Sequence, residues 1–409
     1  PMKNPILLSL ALTACAATAA AQGPAHLVGM TRNLPALRHQ DPTTCMVLNQ
    51  CPLPMPGAGA LPWFAGGTAW EPTKSAAWAT NGQILGSFDD NCAPICPPMP
   101  IPLLGPNQVI TGMEVVEGLN QLWMIDNLGA LHFFANACPP VPIGICNTGL
   151  GGAITQVTTG IAVDEGNGIV FISYPDMATG INWIVVTLLN NPCQPVSQFP
   201  LPACFAAFGL VTGICCDWGT RTLYATDGIT IVSMNYGWAP PNVVIGPIQC
   251  CPLAVAVDTY VGLAVRPGRP TSVGQPCSNG ACAPCPMVHS IPNDSVLGNA
   301  QFRLDLDNVF GNSFAFCMIG GGPCMAPGVG GPPLCGPIYT LPYLGYLGAN
   351  LVMSPAICGG STSFALPLPL NPTLAGMTYS SQGLVLCVGP GGTMGFSMSN
   401  CLSWTLQGN

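Results

Sequence analysis

Apolar residues along this chain fall in short runs separated by Gly, Pro, Asn and Asp. Runs of that length bounded by turn formers read as many short β-strands. One phrase recurs among them. Thr159-Gly-Ile-Ala-Val-Asp164 leads through Glu-Gly-Asn-Gly into Ile169-Val-Phe-Ile172, and Thr212-Gly-Ile-Cys-Cys-Asp217 leads through Trp-Gly-Thr-Arg into Thr222-Leu-Tyr-Ala225. An earlier copy runs from Thr111 through Glu117 to Met124; weaker ones are Gly67–Glu71 with Ala76–Ala79, and Val255–Asp258 with Gly262–Val265. Each copy reads as a buried strand of small and β-branched residues, a turn built on the acid, and a second strand. A third strand follows, as in Trp183–Thr187 or Ile229–Val232, and then a Pro-rich stretch with a Cys pair, expected as a loop.

The acids stand at 71, 117, 164, 217 and 258, in steps of 46, 47, 53 and 41 residues. That is the period of four-stranded propeller blades. The expected fold is therefore all-β. A propeller of five blades, with six as the alternative, covers 22–266. Residues 25–56 join the last copy in one closing blade, which removes open sheet edges. A Cys/Pro/Gly linker at 267–285 precedes a β-sandwich at 286–409, where Phe302, Leu304 and Leu306 share one face of a period-2 strand.

The Gly-Ile-Ala-Val-Asp phrases, each followed by an aromatic-bearing second strand, resemble NHL and YVTN-type propeller repeats over about 60–265. The resemblance implies a scaffold for binding, although some such proteins are enzymes. The Cys-bearing stretches and the low charge depart from that pattern. Residues 286–409 resemble the C-terminal β modules appended to large secreted bacterial proteins. The matching stretches are Val296–Leu304, Ala365–Met377 and Ser399–Leu406, and they imply a surface or sorting accessory.

Composition narrows the partners. Charged residues are 6% of the chain, the formal net charge is −8, and the only lysines are Lys3 and Lys74. Nothing here could neutralise a run of phosphates or adhere to an anionic membrane, so nucleic acid is excluded as a partner. Lys3, the apolar run Ile6–Ala21 and the small residues Ala19-Ala20-Ala21 read as a signal peptide, 1–21. A second reading takes Leu12-Thr13-Ala14-Cys15 as a lipobox, leaving a lipid-anchored Cys15. Either implies a secreted or cell-envelope protein, and no later apolar stretch is long enough to span a membrane.

Export makes disulfides accessible to the 22 cysteines. Sequence proximity suggests the pairs Cys45/Cys51, Cys92/Cys96, Cys138/Cys146 and Cys193/Cys204. Further candidates are the vicinal pairs Cys215/Cys216 and Cys250/Cys251, with Cys277, Cys282 and Cys285. The last three match a plant-type iron–sulfur spacing, with Cys317 as a fourth ligand, but an exported chain favours disulfides. His26, His39, His132 and His289 stand singly, without zinc-ligand spacing. Asp164, Asp217 and Asp258, with Glu71 and Glu117, could ring one face and bind Ca2+; the favoured role is the local turn. Asp305 and Asp307 read as solvent-facing strand residues. The tryptophans at 63, 70, 78, 123, 183, 218 and 238 could line a sugar-binding face, but are expected to fill gaps between blades. No nucleophile lies in a known local signature. The expected function is a non-enzymatic extracellular or cell-surface protein that binds protein or carbohydrate, or assembles with itself. The alternative is a secreted propeller hydrolase or lyase acting on polysaccharide.

Overall fold

A computed structural model describes residues 25–408, apart from 58–60, 103, 151–156, 202–208, 253–258, 269, 284 and 355–356. The expected signal peptide and Cys15 lie outside the described residues, as do Asp258 and Cys204. Among the described residues the elements are β-strands and single-turn 3-10 helices, and no helix is long and apolar enough to cross a membrane.

The chain first forms β1 (His26–Thr31), β2 (Ala36–Gln40) and β3 (Val47–Pro52). Four antiparallel meanders follow. The first contains β4 (Gly67–Glu71), β5 (Ala76–Thr80), β6 (Ile84–Phe88) and β7 (Pro94–Pro100). The second contains β8 (Ile110–Val116), β9 (Gln121–Asp126), β10 (Ala130–Ala135) and β11 (Val141–Asn147). The third contains β12 (Gly160–Asp164), β13 (Ile169–Asp176), β14 (Ile181–Leu188) and β15 (Asn191–Pro200). The fourth contains β16 (Gly213–Asp217), β17 (Thr222–Thr226), β18 (Thr230–Ala239) and β19 (Asn242–Pro252). Strand β20 (Tyr260–Arg266) then returns to β1, with Leu27 opposite Val265 and His26 opposite Arg266, and makes a four-stranded sheet in the order β20-β1-β2-β3.

The strands that begin these sheets touch in a closed, propeller-like ring: β4 on β8, β8 on β12, β12 on β16, β16 on β20, and β20 back on β4. Glycine permits the approach. A Cβ on Gly112 would lie 2.6 Å from Gly160 Cα, one on Gly213 2.8 Å from Gly262 Cα, and one on Gly262 2.7 Å from Gly67 Cα. No real side chain fits such a gap.

The closing sheet differs from the expectation in its make-up. Among the described residues it takes one strand from the C-terminal side and three from the N-terminal side. Gly262 stands level with Gly67, Gly112, Gly160 and Gly213, so Arg266, four residues on, holds the place of Glu71, Asp164 and Asp217. Counted to Arg266 instead of Asp258, the last step becomes 49 residues (266 − 217).

A second difference lies at the perimeter. The Pro-rich, Cys-bearing stretches are the outermost strands β3, β7, β11, β15 and β19 rather than loops. On an edge strand a proline's missing N–H can face outward, where no ladder bond is lost. The same prolines blunt the edge against further strand pairing.

The remaining strands form two sheets. β21 (Thr271–Val273), β22 (Cys277–Ser278), β25 (Ser313–Gly320), β26 (Tyr343–Val352), β28 (Thr378–Val388) and β29 (Met394–Thr405) make six strands in the path β21-β29-β28-β25-β26, with β22 also on β29. β23 (Val288–Ser290), β24 (Arg303–Val309) and β27 (Gly360–Ala365) make the other. The two meet through a core that includes Leu304, Leu306, Ala315, Cys317, Val385 and Trp404. Residues 267–285, expected as a linker, are stitched into the larger sheet through β21 and β22.

These sheets cover one face of the ring, where the acid-bearing turns lie. Trp70 Nε1 donates to Asp294 Oδ2 at 2.7 Å, and the Asp294 N–H donates to Pro72 O at 3.0 Å. Gly408 packs on Trp218, and Gly298 packs beside Glu117. One hydrophobic cluster runs through the junction, from Phe171 and Tyr236 to Phe302 and Trp404.

Candidate functional site

The repeat acids end the innermost strands, where a turn must bind its own backbone. Asp164 accepts from the Asn167 N–H (2.8 Å), Asn167 Nδ2 (2.7 Å) and the Tyr236 hydroxyl (2.6 Å). Asp217 accepts from the Thr220 N–H at 3.1 Å. Burial raises the pKa of both against these stabilising bonds. Glu71 binds Lys74 Nζ at 2.7 Å and also accepts from Thr73, Trp78 and Asn136. Oxygens so committed to protein donors are poor ligands for a cation. Among the described residues no three His, Cys, Asp or Glu side chains converge on a metal position.

Glu117 is the exception among these acids. The Glu117 and Gly118 N–H groups donate to Glu165 at 2.6 and 2.8 Å, while Glu117 Oε1 is buried without a hydrogen-bond partner. Burial, and then the neighbouring Glu165 charge, push the Glu117 carboxyl up to about 8; burial raises Glu165 to about 7. Both lie where Gly298 and Leu370 pack onto the ring. Deeper in, burial, and after it the Glu165 and Glu117 charges, drive Glu114 of β8 well above the carboxylate range.

The cysteines do not pair within a repeat. Cys51 binds Cys92, Cys96 binds Cys138, Cys146 binds Cys193, and Cys45 binds Cys251. Each of these four bridges joins the outer margin of one ring sheet to that of its neighbour. Cys250 is itself disulfide-bonded. Cys277, Cys282 and Cys285 pair separately with Cys335, Cys387 and Cys358, which leaves no iron–sulfur ligand set, and Cys324 pairs with Cys401.

Cys215 and Cys216, expected as bridge candidates, are buried thiols. Successive residues of a strand point to opposite faces. Cys215 enters the cluster with Leu27 and Leu263, whereas Cys216 enters that of Phe171 and places Sγ 3.0 Å from the Tyr236 hydroxyl. Burial raises both thiols well above their ordinary range.

The histidines serve locally. His132 bonds Asp126 at 3.0 Å, and His289 sits between Asp305 O and Ser381 Oγ. His39 approaches Asp90 and Arg266. Trp70, Trp78, Trp123 and Trp218 are buried between sheets, while Trp63, Trp183 and Trp238 are half-buried.

Two hollows remain. One of about 560 Å³ is lined by Leu119, Asn167, Gly168 and Leu188–Asn190 and has no acid in its wall. The other, about 310 Å³, opens between the two C-terminal sheets beside β26. Its floor is Trp404 and Tyr379, stacked at 5.1 Å and 24°, and its walls include Leu347, Leu366 and Leu368. It has no charged lining residue. Trp404 belongs to the Ser399–Leu406 stretch legible in the sequence, whereas β26 carries no sequence signal that marks it as part of a groove.

No family model and no curated protein matches the chain. Solved structures show faint likenesses. The β-propeller domain of Cps50 (Swd1) from Myceliophteria thermophila is 10% identical, over 55% of this chain and 71% of that one, with a TM-score of 0.32. The WD40 domain of coronin from Toxoplasma gondii is 10% identical, over 54% and 56%, with a TM-score of 0.32. A functionally unknown protein from Desulfotomaculum acetoxidans is 12% identical, over 69% and 92%, with a TM-score of 0.34. Likeness at that level carries no argument, and the ring described above rests on the chain's own pairings.

Proposed function

We propose that this chain is a non-enzymatic extracellular or cell-surface scaffold that works by presenting binding and packing surfaces. The five ring sheets are read as the five blades of a closed propeller. The sheets of residues 271–405 are read as a β-sandwich seated on one propeller face, in the manner of an accessory to a secreted protein. The observation that carries the reading is the perimeter. Consecutive outer strands are cross-linked by disulfides, and those strands expose aliphatic side chains such as Val141, Ile143, Ile145 and Val244 instead of charges.

Uncharged, apolar perimeters suit contact with neighbouring molecules. The disulfides suit an oxidising compartment and hold the ring against opening. A hydrolase or lyase would need two acids facing one accessible pocket; the acids of the covered ring face are engaged in turns or buried beneath the two C-terminal sheets.

The test incubates oxidised protein, freed of residues 1–21, with insoluble polysaccharides and with itself, and follows both retention and release of reducing ends. Retention or self-association without released sugar is expected. Turnover of sugar that is lost on replacing acids with amides would replace the scaffold reading with the enzymatic one.

A further inference from the structure

The strand that ends each ring sheet at the perimeter is protected. β3, β7, β11, β15 and β19 each contain proline and a disulfide-bonded cysteine. Prolines and covalent clamps of this kind prevent a further strand from pairing.

β26 has no such protection. Its ten residues, Tyr343-Leu-Gly-Tyr-Leu-Gly-Ala-Asn-Leu-Val352, contain no proline, cysteine or charge. It pairs with β25 on one side and ends the six-stranded sheet on the other. Asn350 near its far end bonds to β27 through Thr362 Oγ1 and Ser363 O, which leaves Tyr343–Leu347 as the open half. Tyr343, Leu344 and Tyr346 are exposed there, and the apolar groove opens alongside.

The charge pattern selects the occupant. Two copies of a chain with net charge −8 meet with least repulsion where charge is absent. None of the six strands of this sheet contains Asp, Glu, Lys or Arg. The outer face beside β26 continues the apolar surface through Phe314, with Phe316 against Tyr346 at 6.0 Å.

We propose that β26 pairs antiparallel with β26 of a second copy, across a two-fold axis, joining the two six-stranded sheets into one. Such a pairing is self-complementary, satisfies the open backbone groups of both strands, and opposes no like charges. It deepens the scaffold reading by naming one self-association surface, and it depends on that reading only in requiring folded, oxidised protein.

Sedimentation velocity of the oxidised chain, over a concentration series, reads the result against Tyr346→Lys, which places like charges at the new junction, and Ile143→Lys on the ring perimeter. Wild type is expected to dimerise, Y346K to weaken dimerisation by about tenfold or more at unchanged thermal stability, and I143K to leave it intact. Hydrogen exchange is expected to slow at Tyr343–Leu347 as concentration rises. A wild type that stays monomeric overturns the proposal. So does dimerisation abolished by I143K but not by Y346K, which would leave the scaffold reading standing on a different surface.

Discussion

The hydroxyl of Tyr236 lies 2.6 Å from Asp164 Oδ2 and ties the third strand of one ring sheet to the turn acid of its neighbour. The same hydroxyl lies 3.0 Å from Cys216 Sγ, and Asp164 also holds the Asn167 turn. A repeat acid thus acts across the gap between sheets as well as in its own turn.

Replacing Asp164 by Ala leaves the buried Tyr236 hydroxyl and the Asn167 N–H without their acceptor, and is expected to cost about 2–3 kcal/mol of stability. Tyr236→Phe removes one bond and should cost less, about 1–2 kcal/mol. Denaturant titration of the two variants checks the order. Equal stability of wild type and Asp164→Ala would remove the structural role assigned to this acid.

Ring closure predicts a sharp cost at Gly112. An added methyl would lie 2.6 Å from Gly160 Cα, a backbone atom of the next sheet that cannot turn aside. Gly112→Ala is expected to destabilise by about 1–3 kcal/mol or more. Gly237→Ala, on β18 with nothing within 4 Å of the new Cβ, serves as the comparison and should be much milder.

The buried acids set a pH dependence. Glu117 and Glu165 titrate near 8 and 7 in the folded chain, above the ordinary 4.5. The folded state therefore holds more protons than the unfolded state between those values, and stability must fall as pH rises. Their contribution is complete below about pH 4.5 and is lost up to about pH 8. Thermal melts from pH 5 to 8 should show the decline, and Glu117→Gln should flatten it. A melting temperature that rises across this range, or an unchanged slope in Glu117→Gln, would contradict the assignment.

Cys215, Cys216 and Cys317 should resist thiol reagents in the native protein and react on denaturation without reductant. All three are buried, and burial raises each thiol pKa, so little thiolate exists to react. Peptide mapping after labelling identifies them.

Much of the ring could be read in the residues. The Gly-Ile-Ala-Val-Asp phrase marks innermost strands because close backbone approach demands glycine and small neighbours, and Asp164 and Asp217 close their turns. In the closing sheet Gly262, rather than an acid, keeps the register of the innermost strands. Prolines hid the outer strands, since their cost vanishes on an edge whose N–H side faces water. Tyr343 and Tyr346, three apart with Gly345 and Gly348 between and beyond them, hide the alternation of β26. The disulfide partners were illegible for a plainer reason: Cys51 and Cys92 are 41 residues apart, and only the curl of the ring brings their Cα atoms to 5.9 Å.

Those partners also offer the sharpest trial of a ring bound from sheet to sheet. Non-reducing digestion followed by mass spectrometry should recover Cys51 linked to Cys92, Cys96 to Cys138, Cys146 to Cys193 and Cys45 to Cys251. Peptides joining Cys45 to Cys51, Cys92 to Cys96 or Cys138 to Cys146 would instead place each bridge inside one repeat and contradict the cross-linked perimeter.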